Sequence, residues 1–246
     1  MGDRKARPLS FEDIAFVKSL VIYEDSNIIA LNKPAGLSSQ GGRIEANTLD
    51  DMLAAFAKSN GKRPRLIHRL DRDTSGVILT AKTQPDAAFL GKAMMARRIR
   101  KTYLAIVTPG APEPREGVIE ASLRREDMGR ESYTRVCPAD HPDAQSALTR
   151  YRTLAEGPGA ALVELSPRTG RMHQLRVHLA SVGRPIAGDP RYGGMLMLMG
   201  ASVPRLMLHA AALVFPHPVG GERHVTAPLP RDMAALMAQW SPHSNG

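Results

Sequence analysis

The sequence predicts an α+β fold built on a mainly antiparallel sheet, with helices interspersed among the strands. Three observations carry that prediction. First, β-rich runs arrive in hairpin-like pairs, as in Val21–Glu24 with Ile28–Leu31 and Ala147–Leu154 with Ala160–Leu165. Second, stretches with helical spacing fall between such pairs rather than in strict alternation with single strands. Third, 246 residues with 43% hydrophobic content are enough to bury a substantial core.

Composition narrows the partners. Lys and Arg number 33 against 24 Asp and Glu, giving a formal charge of +9, which favours a polyanion and most simply nucleic acid. Arg97–Lys101 is a local basic cluster and Arg124-Arg125 a second, while aromatics at 4% offer no evident stacking platform. No apolar run approaches the roughly 20 residues that span a bilayer, so no membrane role is expected. Met1–Ser10 is charged with no apolar signal core behind it, so the expected compartment is cytoplasmic. The single cysteine, Cys137, excludes an intramolecular disulfide and a multi-cysteine zinc site.

In chain order, residues 1–17 read as a charged lead-in too short for a domain, 18–241 as one unit without repeats or low-complexity linkers, and 242–246 as a polar tail. Val21–Glu24 and Ile28–Leu31 are strands around a turn at Asp25–Asn27. In Asn32-Lys33-Pro34-Ala35-Gly36, Pro34 fixes its own φ and Gly36 permits the turn. Asn47 or Thr48 caps a helix over Leu49–Lys58 with an apolar stripe of Leu49, Met52, Leu53 and Phe56, and Asn60-Gly61 ends it. Pro85 opens a second helix at its first position, running to about Arg98. Its Arg-rich end either complements the helix dipole or meets nucleic-acid phosphates. Lys101–Val107 is a strand, and short strands are expected at 117–123 and 132–136. The Ala147–Leu154 and Ala160–Leu165 pair turns through Gly157-Pro158-Gly159. A helix starts at Thr169 or Gly170 and stops at Gly183, burying Met172, Leu175, Leu179 and Val182, with an anion-binding N-terminus near Arg171. Pro185–Gly193 is a turn-rich loop, and Met195–Met199 fits either a short helix or a flexible surface contact. Arg205–Phe215 is a core strand with a buried His209, and Asp232–Trp240 the last helix.

The densest chemistry lies between the apolar runs at Leu66-Ile67 and Val77–Thr80, in His68-Arg69-Leu70-Asp71-Arg72-Asp73-Thr74-Ser75-Gly76. A tight turn held between two core strands is a rigid place to present a carboxylate beside guanidinium groups. Asp71 is the candidate; Asp73 suits fixing the turn through its own backbone. His173 and His178 stand about 140° apart around a helix, which rules out a shared metal. Asp140-His141-Pro142-Asp143 matches no ligand spacing, so no metal is expected.

This stretch closely resembles the signature of the RluA-type RNA pseudouridine synthases. Further motifs match in the family's order: Asn32–Gly36, Lys101-Thr102-Tyr103-Leu104-Ala105, Thr169–Leu179 (with Met172 where Thr is common), Pro185–Gly193 and Leu208–Pro218. The resemblance covers about residues 21–230. It implies a bent, mixed, mainly antiparallel sheet with a central cleft flanked by helices and loops, a pseudouridine synthase fold. It implies isomerisation of uridine to pseudouridine in structured RNA, ribosomal RNA or tRNA, without a small-molecule cofactor. Many relatives carry an S4 domain, for which the lead-in leaves no room, so the catalytic domain is expected to bind its RNA alone, as a monomer. The implied catalytic residues are Asp71, Tyr103 stacked on the target base or acting as a proton acceptor, and Arg176 paired with Asp71. Arg69 is implied to fill the gap left by the flipped uridine. Arg72, Arg171 and His173 are further candidate RNA contacts, and Lys33 is either structural or RNA-facing. Two rivals are weaker. A Mg²⁺-dependent nuclease using Asp71 and Asp73 would not surround them with Arg, and a non-catalytic RNA-binding module would not need an Asp–Arg pair in core elements.

Overall fold

A computed structural model describes residues 8–41, 47–129 and 131–240; the tail 242–246 and the first residues of the lead-in fall outside them. In chain order the elements are α1 (Phe11–Ser19), β1 (Val21–Glu24), β2 (Ile28–Lys33), α2 (Leu49–Met52), β3 (Arg65–Leu66), β4 (Ser75–Ala81), α3 (Gln84–Met95) and β5 (Arg100–Val107). Then come β6 (Glu116–Met128), β7 (Glu131–Cys137), β8 (Gln145–Gly157), β9 (Ala160–Pro167), α4 (Gln174–Ser181), β10 (Met197–Leu198), β11 (Ala201–Ser202), β12 (Leu208–Pro216), β13 (Glu222–Thr226) and α5 (Arg231–Ala238). The expected α+β class holds, and every strand pair whose register is described is antiparallel. Among the described residues no helix is long and apolar enough to cross a membrane.

The chain divides into two compact units. The first comprises 1–99 and 210–228, the second 100–209 and 229–246. In the first, strands run β1-β2-β4-β12, with β13 on β12 and β3 on β4. Its core joins Ile28, Ala30, Val77, Leu79, Leu90, Leu213 and Phe215. β4 is buried at every residue, as its continuous apolar run requires. In the second, the order is β5-β9-β8-β6-β7, over a core that includes Ile106, Val163, Leu165, Leu175, Leu179 and Met233.

Local chemistry sets the helix starts. Ser10, Thr48 and Thr83 cap α1, α2 and α3, each accepting from the backbone N–H of an Asp three residues on. Such a cap contributes about 1 kcal/mol. The helix starting at Phe11 falls within the expected lead-in.

Several boundaries differ from expectation. The helix expected over 49–58 is α2 followed by a 3₁₀ turn at Leu53–Phe56, after which Ala57 is extended and Lys58 N–H donates to Lys62 O at 2.9 Å. Pro85 is the second residue of α3, because Thr83 takes the cap. α3 stops at Met95 rather than near Arg98: Arg97 adopts φ 56°, and Arg98 N–H closes back onto Ala93 O at 2.9 Å, a left-handed C-terminal closure that returns Ile99 to the core. β6 and β7 run longer than expected, since their outer halves are polar and carry no apolar alternation. Arg125 and Asp127 instead hold Ser132 across the strands, and Glu126 pairs with Arg135. Met195–Met199 is not a helix, and Met195, Leu196, Met197 and Met199 are exposed. β10 and β11 form a small hairpin whose two linking residues, Met199 and Gly200, have φ 49° and 78°, as a tight hairpin turn demands. The last helix begins at Arg231, where Asp232 takes both ends of the Arg205 guanidinium at 2.6 and 2.7 Å.

Candidate active site

In the first unit, the turn from His68 to Gly76 joins β3 to β4, and its backbone is fastened at several points. Ser39 Oγ donates to Leu70 O at 2.6 Å and accepts from Leu70 N–H at 3.1 Å. Gly36 N–H donates to Arg72 O at 2.9 Å, and Arg72 Nε returns a bond to Gly36 O at 3.0 Å. Thr74 N–H donates to Asp71 O at 3.1 Å, closing the turn itself. His68 Nε2 accepts from Leu79 N–H at 3.1 Å, so in the neutral ring the proton sits on Nδ1. Gly76, at φ +115°, passes so close to β12 that an added Cβ would lie 2.1 Å from Ala210 O; only glycine fits.

Lys33 is central to this frame. It is fully buried, and its ammonium donates to Pro34 O at 2.9 Å, Leu37 O at 2.8 Å and Arg72 O at 3.0 Å. Of the two expectations for Lys33, the structural one describes it: an enclosed ammonium engaged by carbonyls is not a phosphate contact. Arg69, Asp71, Arg72 and Asp73 are exposed, while Leu70, Thr74 and Ser75 are buried. A rigid, buried backbone therefore presents charged side chains outward.

The second unit fixes its functional groups differently. Arg176, 7% exposed, binds the fully buried Asp189 through two parallel bonds, Nε to Oδ2 and Nη2 to Oδ1, both 2.7 Å. Asp189 Oδ1 also accepts from the N–H groups of Arg191 at 3.0 Å and Tyr192 at 3.3 Å. A buried ion pair holds only with such additional bonds. The Arg176 guanidinium lies 4.9 Å from the Tyr192 ring centre, a cation–π contact. Burial pushes the Tyr192 phenol pKa up, opposed by the Thr134 N–H bond and by Arg176. The hydroxyl thus stays protonated near neutrality, accepting from Thr134 N–H at 2.9 Å and facing His173 Nδ1 at 2.8 Å.

α4 begins at Gln174, not at Thr169 or Gly170, because Gln174 captures the residues before it. Its Oε1 accepts from Thr169 Oγ1 at 2.8 Å and Arg171 N–H at 3.1 Å, and its Nε2 donates to Leu148 O at 3.1 Å and Thr149 Oγ1 at 3.0 Å. The Arg171 amide is therefore used internally, and the expected anion site at a helix N-terminus is not what this segment forms. Arg171 Nε donates to Ser146 O at 3.2 Å. His173, at the helix start, holds φ 53° and gives no side-chain cap. Of the expected stripe, Leu175 and Leu179 are buried but Val182 is 43% exposed. Polar Gln174, Arg176 and His178 are buried as well, so α4 is enclosed on more than one face. Tyr103 lies half-buried on β5, opposite Leu165 of β9.

The structure thus gathers Lys33, Arg69, Asp71 and Arg72 around one turn of the first unit. It brings His173 and Arg176 together through Tyr192 in the second. Sequence reasoning missed Asp189, Tyr192, Gln174 and Ser39 as site-building residues. Asp189 and Tyr192 sat inside a quoted motif but read as loop; the signal available was a glycine-rich loop carrying one acid close to a helix with an apparently buried arginine. Among the described residues no group of three or more His, Cys, Asp or Glu could hold one metal ion.

The family model for RNA pseudouridylate synthase matches residues 27–181, which include Asp71, Tyr103 and Arg176. The chain is 39% identical over 204 residues to RNA pseudouridine synthase 4, mitochondrial, of Arabidopsis thaliana, covering 75% of this chain and 43% of that protein. It is 37% identical over 212 residues to ribosomal large subunit pseudouridine synthase C of Rickettsia bellii, covering 85% of this chain and 68% of that one. The chain thus spans less than half of the first relative and about two thirds of the second. Among solved structures, human RNA pseudouridylate synthase domain containing 4 superposes with a TM-score of 0.80 at 28% identity, over 94% of this chain and 98% of the other.

Proposed function

We propose that this chain, which belongs to the RluA-type family of RNA pseudouridine synthases and is thereby an isomerase of uridines in RNA, works through Asp71, Tyr103 and Arg176. The observation that carries the assignment is the Asp71 turn: an exposed carboxylate on a backbone fastened by Ser39, Gly36 and Lys33. Rigid presentation of a reacting group lowers the entropic part of a barrier.

The reaction breaks the bond from sugar C1′ to base N1, turns the uracil, bonds C5 to C1′ and releases the C5 proton, while N1 gains one. No redox change occurs and no group leaves the RNA, so a carboxylate acting at the sugar is sufficient chemistry. Arg176 supplies fixed positive charge, oriented by Asp189. Tyr103 packs on the target base. Arg69 enters the stack vacated by the uridine, at a cost of a few kcal/mol in unstacking. Arg72, Arg171 and His173 face the RNA around these groups. The substrate class that the bacterial relatives' names favour is large-subunit ribosomal RNA; a cytoplasmic monomer is our own reading, carried over from the sequence.

The test is a strain lacking this chain, complemented with wild type or Asp71→Ala, with pseudouridines mapped across ribosomal RNA and tRNA. One or more large-subunit positions should return with wild type alone. Restoration by Asp71→Ala contradicts the catalytic assignment; restoration only in tRNA contradicts the substrate.

A further inference from the structure

The first unit carries a second basic site that the isomerisation does not use. A cavity of about 530 Å³ opens between the end of α1, the β1–β2 hairpin, the segment after the 3₁₀ turn and the residue that follows β4. Val21, Ile29 and Phe56 contribute apolar wall, and four lysines surround it: Lys18, Lys58, Lys62 and Lys82. The only carboxylate in the lining is Glu24, and Lys82 takes it at 2.6 Å. Arg63, next in sequence to Lys62, turns away to Asp50 at 3.3 Å. Among the described residues, Lys18, Lys58 and Lys62 have no carboxylate within ion-pair distance. Lys18 complements the carbonyl end of α1, which accounts for one cation. Nothing of that kind accounts for Lys58 and Lys62. Their turn is closed by Lys58 N–H to Lys62 O at 2.9 Å and Gly61 N–H to Lys58 O at 2.8 Å, and both residues line the same cavity. Lys18, Lys58 and Lys62 are exposed at the rim of one concavity, so their charges add to a local positive field that attracts a polyanion.

The position is informative. β4 runs from the Asp71 turn at Ser75 to Ala81, with Lys82 next. At about 3.3 Å per residue, its seven residues separate the turn from the cavity by roughly 20 Å. A group bound there is not the target uridine.

We infer that this lysine cavity is an accessory docking site for the phosphate backbone of the RNA arm flanking the modified uridine. The inference rests on the proposed RNA substrate but concerns a separate surface. It supplies affinity and register without reading sequence.

The test measures binding of the full chain to a large-subunit ribosomal RNA fragment across a salt series, for wild type, Lys58→Glu, Lys62→Glu and the double variant. Arg231→Glu, exposed on α5, gives the same change in net charge elsewhere. Each lysine reversal should lower the slope of log affinity against log salt by about 1, and the double variant should bind about tenfold more weakly at low salt. Arg231→Glu should leave the slope unchanged. The same variants tested on an RNA trimmed to the target stem-loop should show a smaller loss than on the long fragment. A slope unaltered by Lys58→Glu and Lys62→Glu, or equal losses on long and trimmed RNA, overturns the inference. Because the readout is binding, it is decided even if wild type forms no pseudouridine, an outcome that would sink the proposed reaction instead.

Discussion

The turn at 68–76 and the α4 region at 171–193 solve the same problem in opposite ways. At the turn the side chains that matter are exposed, and their precision comes from the backbone, fastened by Ser39, Gly36 and the buried Lys33. At α4 the key side chain is itself buried, and its precision comes from side-chain partners: two bonds to Asp189 and the Tyr192 ring beneath. The proposed role of Asp71 at a sugar requires an accessible carboxylate, so only its anchor can be enclosed. A guanidinium that acts as fixed charge gains from enclosure, provided a counter-ion is enclosed with it.

That contrast predicts where substitutions hurt. Asp189→Ala should be the most damaging, costing about 3–5 kcal/mol by removing the enclosed carboxylate that takes two bonds from the buried Arg176 guanidinium. Thermal or denaturant unfolding reads this directly; a loss below about 1 kcal/mol would mean that Arg176 is not held as described. Lys33→Met should cost about 3 kcal/mol, since three carbonyls lose a donor at once, and should lower activity further than stability by loosening the Asp71 turn. A variant that keeps full turnover at a temperature where it is folded would separate Lys33 from the presentation of Asp71.

His178 gives a pH test confined to the second region. Burial lowers its pKa from 6.5 to about 4, partly opposed by a hydrogen bond with Ala121, so it is neutral in the fold. The unfolded chain binds the proton more readily between those values, so stability should fall as pH drops from about 6.5 towards 4 and the effect should level off below. The full shift corresponds to at most about 3 kcal/mol. His178→Gln should flatten this part of the profile, whereas an unchanged slope would place its origin elsewhere. Smallest is Tyr192→Phe, expected to cost about 1 kcal/mol by losing the hydroxyl bonds to Thr134 and His173 while keeping the ring under Arg176. A much larger loss would make the hydroxyl, not the ring, the support.

The two regions also differ in how far the sequence disclosed them. The Asp71 turn was legible because its frame is local: apolar runs on both sides, a Ser-Gly turn and a run of charges within nine residues. Even so, the anchors Lys33 and Ser39 lie more than 30 residues away and have no periodic signal, so Lys33 read equally well as a phosphate contact. The α4 region was less legible. Helical spacing suggested one buried stripe, but Gln174 binds Thr169, Arg171 and Thr149, which shortens the helix and encloses its polar face. Strand extent failed for a related reason in the β6–β7 hairpin, where charge pairs across the strands replace apolar alternation. α3 ended early through a left-handed Arg97, a position where glycine is the usual sign.

The central claim is that Asp71 performs chemistry at the sugar, separately from holding RNA. Loss of the C5 proton makes this measurable with RNA tritiated at uridine C5, under single-turnover conditions with enzyme in excess. Asp71→Asn removes the charge but keeps the shape. Tritium release should drop by a factor on the order of 10⁴, as for other residues in direct contact with reacting atoms, while RNA affinity stays within a few-fold. Release by Asp71→Asn at the wild-type rate would contradict the account, and loss of release only in proportion to lost RNA binding would reduce Asp71 to a binding residue.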